Sequence, residues 1–140
     1  MPILNRTIQM ATQPLPKMIS PKAHAMFDFL VAGSFFLMAP FLWRRSKRAA
    51  VAALLSGGAE LAVSLLTNYP GGARRVIHPR THRDIDYGLA AMIATMPEFL
   101  AFEDDNERKL FLTQGALITA VNGLTDFPGR PYRAERRTAA

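Results

Sequence analysis

The chain has 140 residues, 49% of them hydrophobic and 20% charged, which suits one domain and excludes a disordered polyelectrolyte. Seventeen Lys+Arg against eleven Asp+Glu leave a net charge of +6. The lack of cysteine excludes disulfide frameworks, thiolate nucleophiles and zinc–thiolate or iron–sulfur centres. The mean hydropathy of +0.06 hides a segregation, because apolar residues fill a few long blocks and the charges lie between them.

Residues 1–20 contain Pro14 and Pro16 but no apolar core of about 7–15 residues, so no cleavable signal peptide is visible. They read as a flexible tail. Ser20-Pro21 then gives an N-cap and a proline at the first helical position. A bilayer core needs roughly 20 mostly apolar residues in a helix. The first block of that kind is His24–Trp43, with no charge after Asp28. The second, Ala49–Thr67, is interrupted only by Glu60, and Pro70-Gly71-Gly72 ends it. Pro79 opens a third helix after His78, and the apolar block Ile85–Phe102 within it carries Asp86 and Glu98. The fourth block, Leu110–Leu124, is the shortest, contains Gln114 and Asn122, and is followed by Pro128-Gly129. A basic tail follows, 131–140.

A soluble four-helix bundle is the alternative, but its helices should carry broad charged faces. Between Phe29 and Trp43 the sole polar residue is Ser34, and from Ala49 to Leu66 Ser56, Glu60 and Ser64 form one narrow stripe at a spacing of four. A nearly all-apolar helix with one thin polar stripe suits lipid outside and helix partners inside. Eleven Lys/Arg fall in the tails and the 68–84 connection, against six in the two other connections. The excess places both termini in the cytoplasm, although Arg44, Arg45, Lys47 and Arg48 work against it. Basic loops beside lipid headgroups account for the surplus charge without a nucleic acid.

The chain is also a tandem repeat. Residues 21–72 align without a gap on 79–130, and 15 of the 52 positions are identical, where about 3–4 are expected by chance. Pro21, His24 and Asp28 meet Pro79, His82 and Asp86. Gly57 meets Gly115, and Thr67-Asn68-Tyr69-Pro70-Gly71 meets Thr125-Asp126-Phe127-Pro128-Gly129. Each copy holds two spans, so both insert in the same sense, related by an axis along the membrane normal. The fold expected is all-α, four transmembrane helices in two hairpin repeats.

This pattern resembles the SPW-repeat integral membrane proteins of bacteria: Pro-x-x-His-x-x-x-Asp-aromatic, a small-residue apolar run with a proline, then a second helix ending near Leu-Thr-Asn/Asp-aromatic, twice over. The resemblance covers about residues 20–128. The Ser-Pro-Trp signature itself reads Ala39-Pro40-Phe41 and Met96-Pro97-Glu98. It implies a multi-pass bacterial inner-membrane protein and lends no catalytic residues.

His24/Asp28 and His82/Asp86 are the sharpest constellation, since a spacing of four puts each pair on one helix face. Two histidines and two carboxylates suit a divalent metal, two histidines a haem iron, and an imidazole a proton relay. The structural alternative is that each pair anchors a helix start. Glu60, mid-helix, must face the bundle interior, where Gln114 and Asn122 offer hydrogen bonds. Gly57, Gly58, Gly115 and Gly123 mark close helix packing. Phosphate-loop, dinucleotide and hydrolase motifs are missing. The leading expectation is a structural or accessory membrane protein, not an enzyme and without cofactor, whose partners are the bilayer and a second copy or another membrane protein. An ion- or proton-translocating module and a haem- or metal-binding subunit are the alternatives.

Overall fold

A computed structural model describes residues 15–127. The tail before residue 15, the Pro128-Gly129 stop and the basic C-terminal tail lie outside the described residues. Within them the protein is all-α, with four helices: α1 (Pro21–Trp43), α2 (Lys47–Leu66), α3 (Pro79–Phe99) and α4 (Asp105–Leu124). Twenty residues of helix rise about 30 Å, the thickness of a bilayer core.

Each helix starts at a side-chain cap that satisfies an otherwise free N–H. Ser20 Oγ accepts from the Ala23 amide and Ser46 Oγ from the Ala49 amide, both at 3.2 Å. His78 Nδ1 accepts from the Arg80 amide at 3.1 Å, and Asp104 Oδ1 from the amides of Asn106 and Glu107 at 2.8 and 3.2 Å. The caps fall at equivalent repeat positions, Ser20 with His78 and Ser46 with Asp104, so the duplication preserves the start of each helix while changing the capping residue.

The helices pair as two tight antiparallel hairpins, α1 with α2 and α3 with α4, which meet through α2–α3 and α1–α4. Equivalent glycines set the approach within each hairpin. A Cβ on Gly57 would lie 3.0 Å from Phe35 Cβ and 3.1 Å from Ala32 O, and one on Gly115 would lie 2.7 Å from Ala90 O. Of the other two glycines expected to pack helices, Gly58 faces open space, with nothing within 4 Å of its Cβ position, and Gly123 has Leu15 of the segment before α1 at 2.9 Å and the Tyr87 hydroxyl of α3 at 3.7 Å from its Cβ position.

Toward the α1–α2 and α3–α4 turns the core is apolar. Phe35, Phe102 and Phe111 are fully buried, with ring centroids 5.5 Å (Phe35–Phe111) and 5.1 Å (Phe102–Phe111) apart. Arg45 and Asp104 join the two turns through an ion pair at 2.5 Å. In the repeat register Arg45 corresponds to Glu103 and Lys47 to Asp105, so one turn is basic where the other is acidic.

The outer surfaces of the repeats differ. α1 and α2 are long and apolar enough to cross a membrane, and they expose large side chains such as Leu30, Leu37, Phe41 and Leu55. α3 and α4 fall short of that hydropathy, so the expectation of four apolar spans is met by two helices. The reason lies at their starts: α3 opens with Arg80, Arg83, Asp84 and Asp86, and α4 with Asp105, Glu107, Arg108 and Lys109.

Gly115→Ala should destabilise the protein by about 1–3 kcal/mol, because backbone must shift to admit the methyl. Gly58→Ala should be neutral or stabilise by about 0.4–1 kcal/mol, and unfolding of the two variants in detergent compares them directly. The amide hydrogen bonds from Asn106 and Glu107 hold the Asp104 carboxyl below its usual value. Its stabilising contribution is therefore present above about pH 4 and is lost as pH falls through the lowered folded value. Hydrogen exchange at the Asn106 and Glu107 amides should speed up in Asp104→Ala at neutral pH, and in the parent chain only under acid. Unchanged protection in the variant would remove Asp104 as the cap.

Candidate metal centre

The ends of the helices opposite these turns bring the repeats together through polar groups. The segment before each repeat docks on the end of the other: Ile19 pairs with Thr125 and Ile77 with Thr67 as parallel bridges. Ile19 and Ile77 are themselves separated by the repeat offset. Met18 and Ile19 amides donate to Leu124 O, and Asp126 N donates to Ile19 O at 3.0 Å. Val76 and Ile77 amides donate to Leu66 O in the same way.

Inside this exchanged end lie His24 and Asp28 of α1 and His82 and Asp86 of α3, all buried. One ligand atom from each of the four lies within 4.8 Å of the others. His24 Nε2 is 3.2 Å from His82 Nε2, 3.2 Å from Asp86 Oδ2 and 3.4 Å from Asp28 Oδ1. His82 Nε2 is 3.0 Å from Asp86 Oδ2 and 3.2 Å from Asp28 Oδ2. Each histidine thus meets the carboxylates of both repeats.

The second ring nitrogens decide the tautomer. His82 Nδ1 lies 2.8 Å from Thr67 Oγ1, and His24 Nδ1 lies 2.8 Å from Thr125 Oγ1. A threonine hydroxyl has one proton, and both are committed: Thr67 donates to Val63 O at 2.7 Å, and Thr125 to Val121 O at 2.6 Å. Each oxygen can therefore only accept, so Nδ1 carries the hydrogen in both rings. In the neutral rings the Nε2 lone pairs then face each other and the two carboxylates. The far N–H of a histidine that binds a metal is usually taken by a carboxylate or a backbone carbonyl, and here a threonine hydroxyl takes that place.

The ring of supports is not fully symmetric. Tyr69 donates its phenol to Asp28 Oδ2 at 2.8 Å. Burial, with the Asp28 charge beside it, pushes that phenol far above its ordinary range, so it remains a donor. Phe127, its counterpart in the second repeat, stacks edge-on against His24 with centroids 4.9 Å apart and has no hydroxyl to give. Asp86 Oδ1 has no hydrogen-bond partner among the described residues.

Glu60 lies outside the convergent set. It is buried on α2, close enough to Asp86, Asp28 and His82 to feel their charges, and its Oε1 has no partner among the described residues. The bonds expected from Gln114 or Asn122 go elsewhere. Gln114 Nε2 donates to Ser34 Oγ at 2.8 Å and Asn122 Nδ2 to Arg83 O at 2.8 Å. Both residues are turned by their own helix register toward different neighbours. Sequence reasoning passed over Thr67, Thr125 and Tyr69 as ligand supports. The signal was the identity of Thr67 and Thr125 across the repeat, which reads equally well as part of a helix stop.

Bonds of about 2.0–2.1 Å from a tetrahedral Zn²⁺ put its ligand atoms roughly 3.3 Å apart. The two Nε2 atoms lie 3.0–3.4 Å from each other and from their nearest carboxylate oxygens, His24 facing Asp28 Oδ1 and His82 facing Asp28 Oδ2, and with one atom from each residue the set closes to within 4.8 Å. A haem does not fit. Its axial nitrogens stand on opposite faces of a flat macrocycle, roughly 4 Å apart, and the rings here meet directly at 3.2 Å.

Thr67→Val removes the acceptor at His82 Nδ1 with little change of volume. Histidine side-chain ¹⁵N spectra should then show His82 losing its fixed Nδ1–H tautomer while His24, held by Thr125, keeps it. An unaltered His82 signal would contradict the assignment. Comparison of the chain with known protein families, with curated proteins and with solved structures returns no match.

Proposed function

We propose that this chain is a multi-pass membrane protein that holds one divalent transition-metal ion, of the Zn²⁺ class, between its two repeats, and that it has no catalytic activity of its own. The observation carrying the metal reading is the commitment of both threonine protons to helix carbonyls. It leaves two imidazole lone pairs and two carboxylates converging within ligand distance, an arrangement of electron-pair donors that calls for a cation at its middle. Two carboxylates balance a 2+ charge, so the occupied site is neutral inside a low-dielectric bundle.

The donor set selects among metals. Two nitrogens and two oxygens in tetrahedral spacing favour Zn²⁺ over Mg²⁺ or Ca²⁺, which want six or more oxygens, and the chain has no thiolate for Cu(I). All four ligands are at most 6% exposed, so the site is closed to a substrate, as in structural zinc sites. The metal fastens the two repeats, which unites the accessory role with a metal.

Insertion of all four helices in the bilayer is supported by the common length of the helices, by the apolar outer face of α1 and α2 and by the resemblance of the repeat to SPW-repeat proteins. The charges that lower the hydropathy of α3 and α4 gather in their first turns, where interfaces and buried partners receive them. The excess of Lys/Arg in the tails and the 68–84 connection favours a cytoplasmic position for the metal end, and the resemblance to SPW-repeat proteins favours a bacterial inner membrane.

Co²⁺ added to chelator-stripped protein in mild detergent should give the visible absorption of a tetrahedral N/O site, saturating at one ion per chain. His24→Ala and Asp28→Asn should each abolish it while retaining helical circular dichroism. Zn²⁺ at a hundred times its Kd should add about 2.7 kcal/mol to unfolding. Folded parent chain that takes up neither ion would overturn the metal reading and leave a proton-linked His–Asp lock between the repeats.

A further inference from the structure

A recess of about 610 Å³ lies between the two turns that the Arg45–Asp104 pair joins. Arg45, Lys47 and Arg48 line it from the first repeat, and Glu103, Asp104 and Glu107 from the second. The charges balance in number but not in partners. Asp104 is taken by Arg45 and by the two amides it caps, and Arg48 donates to Leu100 O at 3.5 Å. The side chains of Lys47, Glu103 and Glu107 have no hydrogen bond or ion pair with any described residue.

Glu107 is the exceptional member. It is only 4% exposed, and its Oε1 is enclosed without a partner among the described residues. Asp104 and Glu107 have the spacing of a capping box, in which the glutamate accepts the amide hydrogen of the capping residue. Asp104 makes its half of the box, and Glu107 does not.

The first repeat supplies an internal comparison. Where the second has Glu103 and Glu107, the first has Arg45 and Ala49, and Ala49 is fully buried. A helix start in this bundle therefore packs without a carboxylate. A buried carboxyl with no hydrogen bond costs stability, so its presence asks for a ligand.

The lining narrows the ligand. Among the described residues the convergent metal-ligand set is the His–Asp cluster at the other end, and these three carboxylates form no such set. A simple anion suits Lys47 but meets two unpaired carboxylates. A simple cation suits the carboxylates but leaves Lys47 without a counter-charge. A zwitterion answers both. The recess lies where the helices end, the level of lipid headgroups, and its volume suits a headgroup with its glycerol.

We propose that this recess binds a phosphoethanolamine zwitterion, its primary ammonium on Glu103 and Glu107 and its phosphate on Lys47, supplied by the headgroup of phosphatidylethanolamine. A primary ammonium has three N–H donors for the two carboxylates, whereas a choline headgroup has none. The lipid source rests on the membrane reading, and the site is independent of the metal.

The test titrates the full chain in mild detergent with phosphatidylethanolamine, its monomethyl and dimethyl derivatives, and phosphatidylcholine, all of equal acyl length. Native mass spectrometry counts the bound lipid. The first phosphatidylethanolamine should bind about tenfold more tightly than phosphatidylcholine, with the methylated lipids in order between them. Glu103→Gln with Glu107→Gln should bring the two extremes within about twofold. Lys47→Gln should weaken both alike, since both carry the phosphate. Circular dichroism reports folding of the variants, and the methylation series decides in the parent chain alone where a variant does not fold. Equal binding across the series, or a preference that survives the double substitution, overturns the proposal. Glycerophosphoethanolamine that competes as well as the lipid keeps the zwitterion and overturns the lipid source. Quantitative recovery in the soluble fraction without detergent removes the membrane reading itself, a failure distinct from equal lipid binding by a chain that needs detergent.

Discussion

Everything at the closed end of this bundle depends on a hydroxyl that has already given away its proton. Thr67 and Thr125 each donate to the last turn of their own helix, and so can only accept from the histidine of the other repeat. That single commitment fixes both imidazole tautomers, aims both Nε2 atoms inward and makes each repeat the support for its partner's histidine. The extended segments at Ile19 and Ile77 repeat the exchange in backbone hydrogen bonds. Neither hairpin contains a finished site. The hairpins have few helix contacts with each other compared with those inside each, so their union relies on the His–Asp cluster at one end and on the phenylalanine cluster and the Arg45–Asp104 pair at the other.

The duplication supplies symmetry, and later substitutions spend it unevenly. Tyr69 reaches Asp28 with a phenol, whereas Phe127 offers the second repeat only a ring. Glu60 brings a third carboxylate near the centre, where the other copy has Ile118. The outer face of the first repeat is broad and apolar, while that of the second mixes large side chains such as Met92, Leu112 and Leu117 with small or polar ones such as Ala91, Thr95, Thr113 and Ala116. Two copies of one hairpin have thus come to present different surfaces while still sharing one buried centre.

Much of this was legible in the sequence because its signals are local. Ser20-Pro21 and His78-Pro79 mark helix starts, the apolar blocks mark the helices, and the 58-residue offset names the residues that occupy equivalent places. What the offset cannot say is which copies touch. Read within one helix, His24 and Asp28 are a pair, and only the fold shows His24 meeting Asp86 as well. Glu60 exposes the same gap, since Gln114 and Asn122 sit at suitable depth but their helix register turns them to Ser34 and Arg83. Gly58 shares its neighbour's composition and not its orientation, one residue being about 100° of helix rotation. The charges opening α3 and α4 lower the average hydropathy of helices whose partners a window of sequence does not see.

The exchange between repeats also dictates an order of events during synthesis. Ile19 has its partner at Thr125 and His24 has its own there too, so about a hundred residues must follow before either is satisfied. The first hairpin leaves the ribosome with Asp28 already within reach of Tyr69, while His24 still lacks Thr125 and Asp86. The second hairpin, whose helices are less apolar, arrives to find a docking surface already waiting. The more hydrophobic copy comes first in the chain, and this order gives the more polar copy a protein surface on which to complete its fold.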